Sequence, residues 1–123
     1  RREADLDTDF DLQDIVLLNL QRACEATIDL ANRALVLLGE PPTADSRDAF
    51  HQLFRLRLIE QKPAQRLMRV VGFRNRLVHQ YQDIDLDLVR TFLAENFDDL
   101  TVFAAAMARR FDAKPPFEAN PGT

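Results

Sequence analysis

A single cysteine, Cys24, leaves the 123-residue chain without an internal disulfide and without a thiolate cluster for zinc. Its two histidines, His51 and His79, lie 28 positions apart, so the usual paired-histidine metal spacings are missing too. Three glycines, Gly39, Gly72 and Gly122, are too scattered to build a phosphate-cradling loop of the familiar kinds. There is no Trp, and Tyr81 is the one tyrosine beside nine Phe. No apolar run approaches the roughly 18 residues that suggest a membrane span; there are only short stretches such as Ala34–Leu38. No signal peptide is visible either. These absences set the expectations of a reduced, cytoplasmic protein with no membrane segment, no metal and no cofactor.

What remains is enough for one core. At 46% hydrophobic residues the chain fits a single domain and is too short for a two-domain enzyme. The net charge of -4 argues weakly against a general nucleic-acid coat, but the average conceals an asymmetry. Asp5 to Asp14 holds five aspartates and no basic residue, whereas Arg55 to Arg76 holds seven basic residues against Glu60 alone. A mildly acidic protein thus carries one concentrated basic segment.

Residues 1–10 read as an acidic segment, 11–112 as a helical domain and 113–123 as a flexible tail rich in proline. From Leu12 through Ile15, Val16, Leu20, Cys24, Ile28, Ala31 and Leu35 to Leu38, apolar residues recur at steps of three and four. This predicts an amphipathic helix of about seven turns, stopped by Gly39 and Pro41-Pro42. Thr43, Asp45 and Ser46 are candidate caps for a shorter helix carrying Ala49, Phe50, Leu53 and Phe54. Pro63 suits the first turn of a third helix, with Ala64, Leu67, Val70, Val71, Leu77 and Val78 as its apolar set. Asp85 or Asp87 caps a fourth, running through Phe92, Phe97, Leu100 and Phe103 to Phe111. With no strand alternation and no repeat, the fold class is all-α, an antiparallel helical bundle.

Only Gly72-Phe-Arg-Asn-Arg-Leu-Val-His-Gln-Tyr81 departs from what bundle packing needs. On a continued helix Leu67, Val71, Arg74, Val78 and Tyr81 share one stripe, while Met68, Gly72, Asn75 and His79 form its neighbour. Arg74 occupies a position where the core stripe calls for an apolar side chain, and an unpartnered buried guanidinium is strongly unfavourable. Asp83 or Asp85 is a candidate partner for it. Gly72 lowers helix propensity by roughly 1 kcal/mol against Ala, and one reason to accept it is close approach of another backbone. A polar, basic, glycine-bearing face on a packed helix reads as a site. By contrast Cys24 reads as core, His51 as structural or solvent-facing, and the Phe residues at 92, 97 and 103 as core and interface.

The pattern Arg74-x-x-x-x-His79-x-Tyr81, with Asn19-Leu-Gln-Arg-Ala-Cys-Glu-Ala26 in the first long helix and Met68-Arg-Val-Val-Gly-Phe-Arg-Asn75 before the motif, resembles the HEPN-domain ribonucleases, specifically HepT-like toxins. The resemblance covers most of residues 10–110. It implies a four- to five-helix bundle that forms a homodimer through the motif-bearing helix, with two motifs lining a shared cleft. It also implies a metal-independent endoribonuclease, the toxin beside a minimal nucleotidyltransferase antitoxin that silences it by adenylylating the motif tyrosine. Carried onto this chain, Arg74 and His79 are catalytic, Asn75 supports them and Tyr81 is the modification target. Family members usually carry a further helix ahead of the acidic segment, so the resemblance implies that roughly the first 20 residues precede Arg1.

The chemistry is sound on its own terms. An imidazole with an ordinary pKa of about 6.5 serves as acid or base near neutral pH, and a guanidinium is a permanent fork for phosphorane charge. An RNA 2′-hydroxyl, of a transfer RNA for example, deprotonated at His79 attacks its own phosphodiester. Arg74 and His79 lie about 140° apart on an ideal helix, which favours a site shared by paired protomers. Arg66, Arg69 and Arg76 are candidate RNA phosphate contacts. A catalytically silent module that binds nucleotide, RNA or a nucleotidyltransferase is the alternative, and a helical protein using this face only to dimerise is a third.

Overall fold

The computed structural model describes residues 5–111, which form five α-helices: α1 (Phe10–Leu37), α2 (Ser46–Arg55), α3 (Gln61–His79), α4 (Leu86–Glu95) and α5 (Phe97–Arg110). A 3-10 turn, Tyr81–Asp83, follows α3. The tail expected to be flexible, 113–123, lies outside the described residues. No described helix is long and apolar enough to cross a membrane.

α1 starts at an aspartate cap: Asp9 accepts the Leu12 amide at 3.0 Å and so satisfies one of the free donors of the first turn. Its apolar positions Leu17, Leu20, Cys24, Ile28, Ala31 and Leu35 are buried in one stripe. It ends in a paired C-terminal lock, with Gly39 donating to Val36 and Glu40 to Leu35. Gly39 has φ +76°, the left-handed conformation that this closure requires, which is why glycine stops the helix there. α2 closes in the same way with Arg57 at φ 65°, Arg57 donating to Phe54 and Leu58 to Leu53. Of its candidate caps, Asp45 makes the contact, accepting the Asp48 amide.

α1, α2 and α3 pack on one another, and α5 closes the bundle against α1 and α3. Phe50 of α2 is fully buried and meets Phe103 of α5 edge-to-face at 5.5 Å between centroids. Truncating such a ring leaves a void that typically removes about 3–5 kcal/mol of stability. α4 packs on α5 and reaches α3 through Phe92, whose ring stacks on Phe73 at 3.9 Å. The described part of the acidic segment, from Asp5 onward, is built in: Asp7 pairs with Arg90 of α4 at 2.7 Å, and Gln13 donates its side-chain amide to the Leu6 carbonyl.

Three sequence expectations need correction. The fourth helix is two, broken at Asn96, whose amide closes α4 onto Phe92 and whose carbonyl accepts from Asp99. Arg66 of α3 secures the break, donating to the Glu95 carbonyl at 2.9 Å and to Asp99 at 2.8 Å. α3 ends at His79, so Tyr81 does not continue its stripe. Ile15 and Val78, expected inside, are exposed (57% and 46%): Ile15 faces away from the buried stripe of α1, and Val78, although aligned with Leu67 and Val71, stands one residue before the end of α3.

Candidate functional site

α3 presents two distinct faces. Leu67, Val70, Val71 and Leu77 are buried around the direction in which Arg74 points. Arg74 is therefore held half-buried between α3 and α1, within electrostatic reach of the fully buried Cys24. Burial pushes the Cys24 thiol up to about 12, while the Arg74 charge pulls the other way; the thiol is a small apolar core group, as expected. Arg74 Nε donates to Asn75 Oδ1 at 2.9 Å. Neither Asp83 nor Asp85 pairs with it. Asp85 instead caps α4, accepting the Asp87 amide. Among the described residues no carboxylate forms an ion pair with Arg74.

The opposite face carries Gln65, Arg69, Gly72, Arg76 and His79, all exposed except the half-buried glycine. His79 is the last residue of α3. Arg74 and His79 thus project from different sides of the helix and are not brought together within one protomer, in keeping with their angular separation of about 140°. Asn75 lies between them, half-buried and engaged with Arg74.

Tyr81, in the turn after α3, donates its hydroxyl to Asp14 Oδ1 of α1 at 2.9 Å. That hydrogen bond raises the phenol above its ordinary range. Asp14 was not singled out by the sequence, since the acidic run that contains it offers no local sign of a partner 67 positions away. Beside it, Ile15, Leu18, Val78 and Tyr81 leave apolar surface exposed near the end of the motif.

The three candidate phosphate contacts part company. Arg66 is engaged by Asp99 and the Glu95 carbonyl, and that carboxylate holds its guanidinium above the ordinary arginine range. Arg69 and Arg76 instead line an open cleft of about 390 Å³ together with Arg47 of α2, which sequence reasoning also missed. Gly72 sits in this cleft, and a β-carbon there would lie 3.2 Å from Arg47 Nη2. The close neighbour that suits glycine is a guanidinium, not the backbone expected.

This all-helical bundle with an Arg-x-x-x-x-His-x-Tyr sequence at the end of its central helix has clear relatives. A family model described as ribonuclease HepT-like matches residues 1–107. The mRNA nuclease HepT of Shewanella oneidensis is 44% identical over 97 residues, covering 77% of this chain and 71% of that protein. The tRNA nuclease HepT of Aphanizomenon flos-aquae is 33% identical over 88 residues, and the match spans 72% of this chain but 58% of its relative. Among solved structures, a tri-AMPylated Shewanella oneidensis HEPN toxin in complex with MNT antitoxin superposes with a TM-score of 0.77 at 38% identity, covering 85% of this chain and 78% of that one. A toxin–antitoxin structure with AMP-PNP gives the same score and identity, covering 85% and 79%. The chain belongs to the ribonuclease HepT-like family.

Proposed function

We propose that the protein is the toxin of a toxin–antitoxin pair, a metal-independent endoribonuclease that acts in the cytoplasm as a homodimer. One observation carries the assignment of roles: Arg74 is held half-buried by Asn75 with no carboxylate partner among the described residues, while His79 stands exposed at the end of the same helix. A guanidinium kept in the packed face without a counter-ion is suited to an anion that arrives with substrate. The exposed apolar residues Ile15, Leu18 and Val78 support a second copy seated over the motif, which would let Arg74 and His79 of different protomers face one phosphodiester.

In that cleft His79 takes the proton of the RNA 2′-hydroxyl and the oxygen attacks phosphorus. Arg74 stabilises the charge that gathers on the phosphorane oxygens. The bond to the 5′-oxygen breaks, the partner subunit's His79 returns a proton to it, and the products are a 2′,3′-cyclic phosphate and a 5′-hydroxyl end. Asn75 orients Arg74 through its side-chain oxygen.

Tyr81 is the site at which a nucleotidyltransferase antitoxin silences the enzyme by adenylylation. Esterification removes the proton that Tyr81 gives to Asp14 and sets a phosphate beside a carboxylate, so silencing also loosens the turn from α1. The test is cleavage of purified transfer RNA and total RNA in excess EDTA. Cleavage to cyclic-phosphate ends, reduced by about 10²–10⁴-fold in His79→Ala and comparably in Arg74→Ala, is the expected result. Saturable RNA binding without turnover, by protein of unmodified mass, would instead identify a silent binding module.

A further inference from the structure

Arg47, Arg69 and Arg76 converge on one open cleft over Gly72, from α2 on one side and from the exposed face of α3 on the other. Arg66 of α3 and Arg90 of α4 are each paired with a carboxylate within 3.0 Å. None of the three cleft arginines has such a partner among the described residues. Thr91 and Asn96, the other polar residues of the rim, are neutral. Three like charges gathered around one hollow repel each other, and the arrangement is relieved by an anion. Gly72 makes room for it, since a side chain there would press on the Arg47 guanidinium.

The cleft lies on the His79 side of α3. Arg76 and His79 are i, i+3 neighbours on the helix surface, so an anion held by Arg76 rests about one turn from the imidazole. The aromatic rings in its wall, Phe73 and Phe92, are stacked on each other and buried, and present no free face to a base. The cleft therefore offers charge without base recognition.

We propose that the Arg47–Arg69–Arg76 cleft is a phosphate-binding subsite that grips the RNA backbone to one side of the scissile bond, independent of base identity. This rests on the ribonuclease reading. Each arginine neutralises one phosphate of a strand that runs from the cleft toward His79, which fixes the register of the strand but takes no part in bond breaking.

The test uses the intact protein and single-stranded RNA oligonucleotides of mixed sequence. Binding is followed across salt concentration in a His79→Ala background, and cleavage is followed with His79 intact. For each of Arg47→Gln and Arg69→Gln, affinity is expected to fall roughly tenfold at low salt. The slope of log affinity against log salt should drop by about 0.7 for each phosphate that the variant no longer neutralises. In the cleavage assay KM rises with little change in kcat, and equally for different sequences. Arg66→Gln, outside the cleft, leaves the slope unchanged. Unchanged slope and KM in Arg47→Gln and Arg69→Gln overturn the subsite while leaving an active ribonuclease intact. Competition by AMP as effective as by a long strand also overturns it, in favour of a free-nucleotide site. Failure of the unmodified protein to cleave any RNA is the separate result that removes the ribonuclease reading itself.

Discussion

The hydroxyl of Tyr81 and the carboxylate of Asp14 are joined by a 2.9 Å hydrogen bond that ties the turn after the motif helix to the first turns of α1. Tyr81 is the sole tyrosine and there is no Trp, so phenolate absorbance in the near ultraviolet reports this contact alone. The bond favours the protonated phenol and raises its pKa. Its contribution to folding is therefore complete below the ordinary phenol range and is lost as pH rises through the raised value. Asp14→Asn is expected to shift the absorbance midpoint to lower pH. A midpoint that stays put would mean that the carboxylate is not what holds the proton.

Separation of Arg74 and His79 on different sides of α3 makes subunit mixing informative. Arg74→Ala and His79→Ala proteins, mixed under conditions where mass spectrometry demonstrates subunit exchange, are expected to show RNA cleavage different from that of either alone. Exchange with no change in activity would argue for a site complete within one protomer.

Gly72→Ala is expected to separate stability from function. In mid-helix the change raises helix propensity by up to about 1 kcal/mol. The new methyl meets Arg47 at 3.2 Å, the far end of a flexible side chain that yields by a few tenths of an ångström. Thermal denaturation should show a higher Tm while RNA affinity falls. A lower Tm would show that Arg47 is fixed in place.

Arg57 holds a left-handed backbone, φ 65°, in the closure of α2. A side chain there costs roughly 1–2 kcal/mol that glycine does not incur, offset in part by the greater freedom of glycine in the unfolded chain. Arg57→Gly should stabilise the protein by about 1 kcal/mol in denaturant titration and leave RNA cleavage unchanged. A drop in stability would indicate that the arginine side chain makes a compensating interaction.

Much of this fold could be read from local chemistry. The stripe from Leu20 to Leu35, the glycine that stops α1 and the aspartate that caps α2 each declare themselves within a few residues. The break at Asn96 did not, because the apolar rhythm from Phe92 to Phe103 runs through it and its brace, Arg66, comes from a different helix. The site divides along the same line. Arg74, Asn75, His79 and Tyr81 stood out as a motif, and the anomaly of an arginine in a core stripe was visible from periodicity alone. Asp14 and Arg47 were not visible, since each meets the motif helix or its turn only after the chain has folded back. Nor could the periodicity show that the helix would stop at His79 and turn Tyr81 away toward α1.

The stacked pair Phe73–Phe92 joins α4 to the motif helix, and α4 otherwise rests mainly on α5. One wall of the arginine cleft is thus fastened to α3 by this aromatic clasp and the Arg66–Glu95 hydrogen bond, while the other is anchored in the core of the bundle. Local opening there needs far less free energy than global unfolding. Amide hydrogens of α4 should therefore exchange earlier than those of α1 and α3, and the width of the cleft becomes a fluctuating quantity that an arriving strand can narrow.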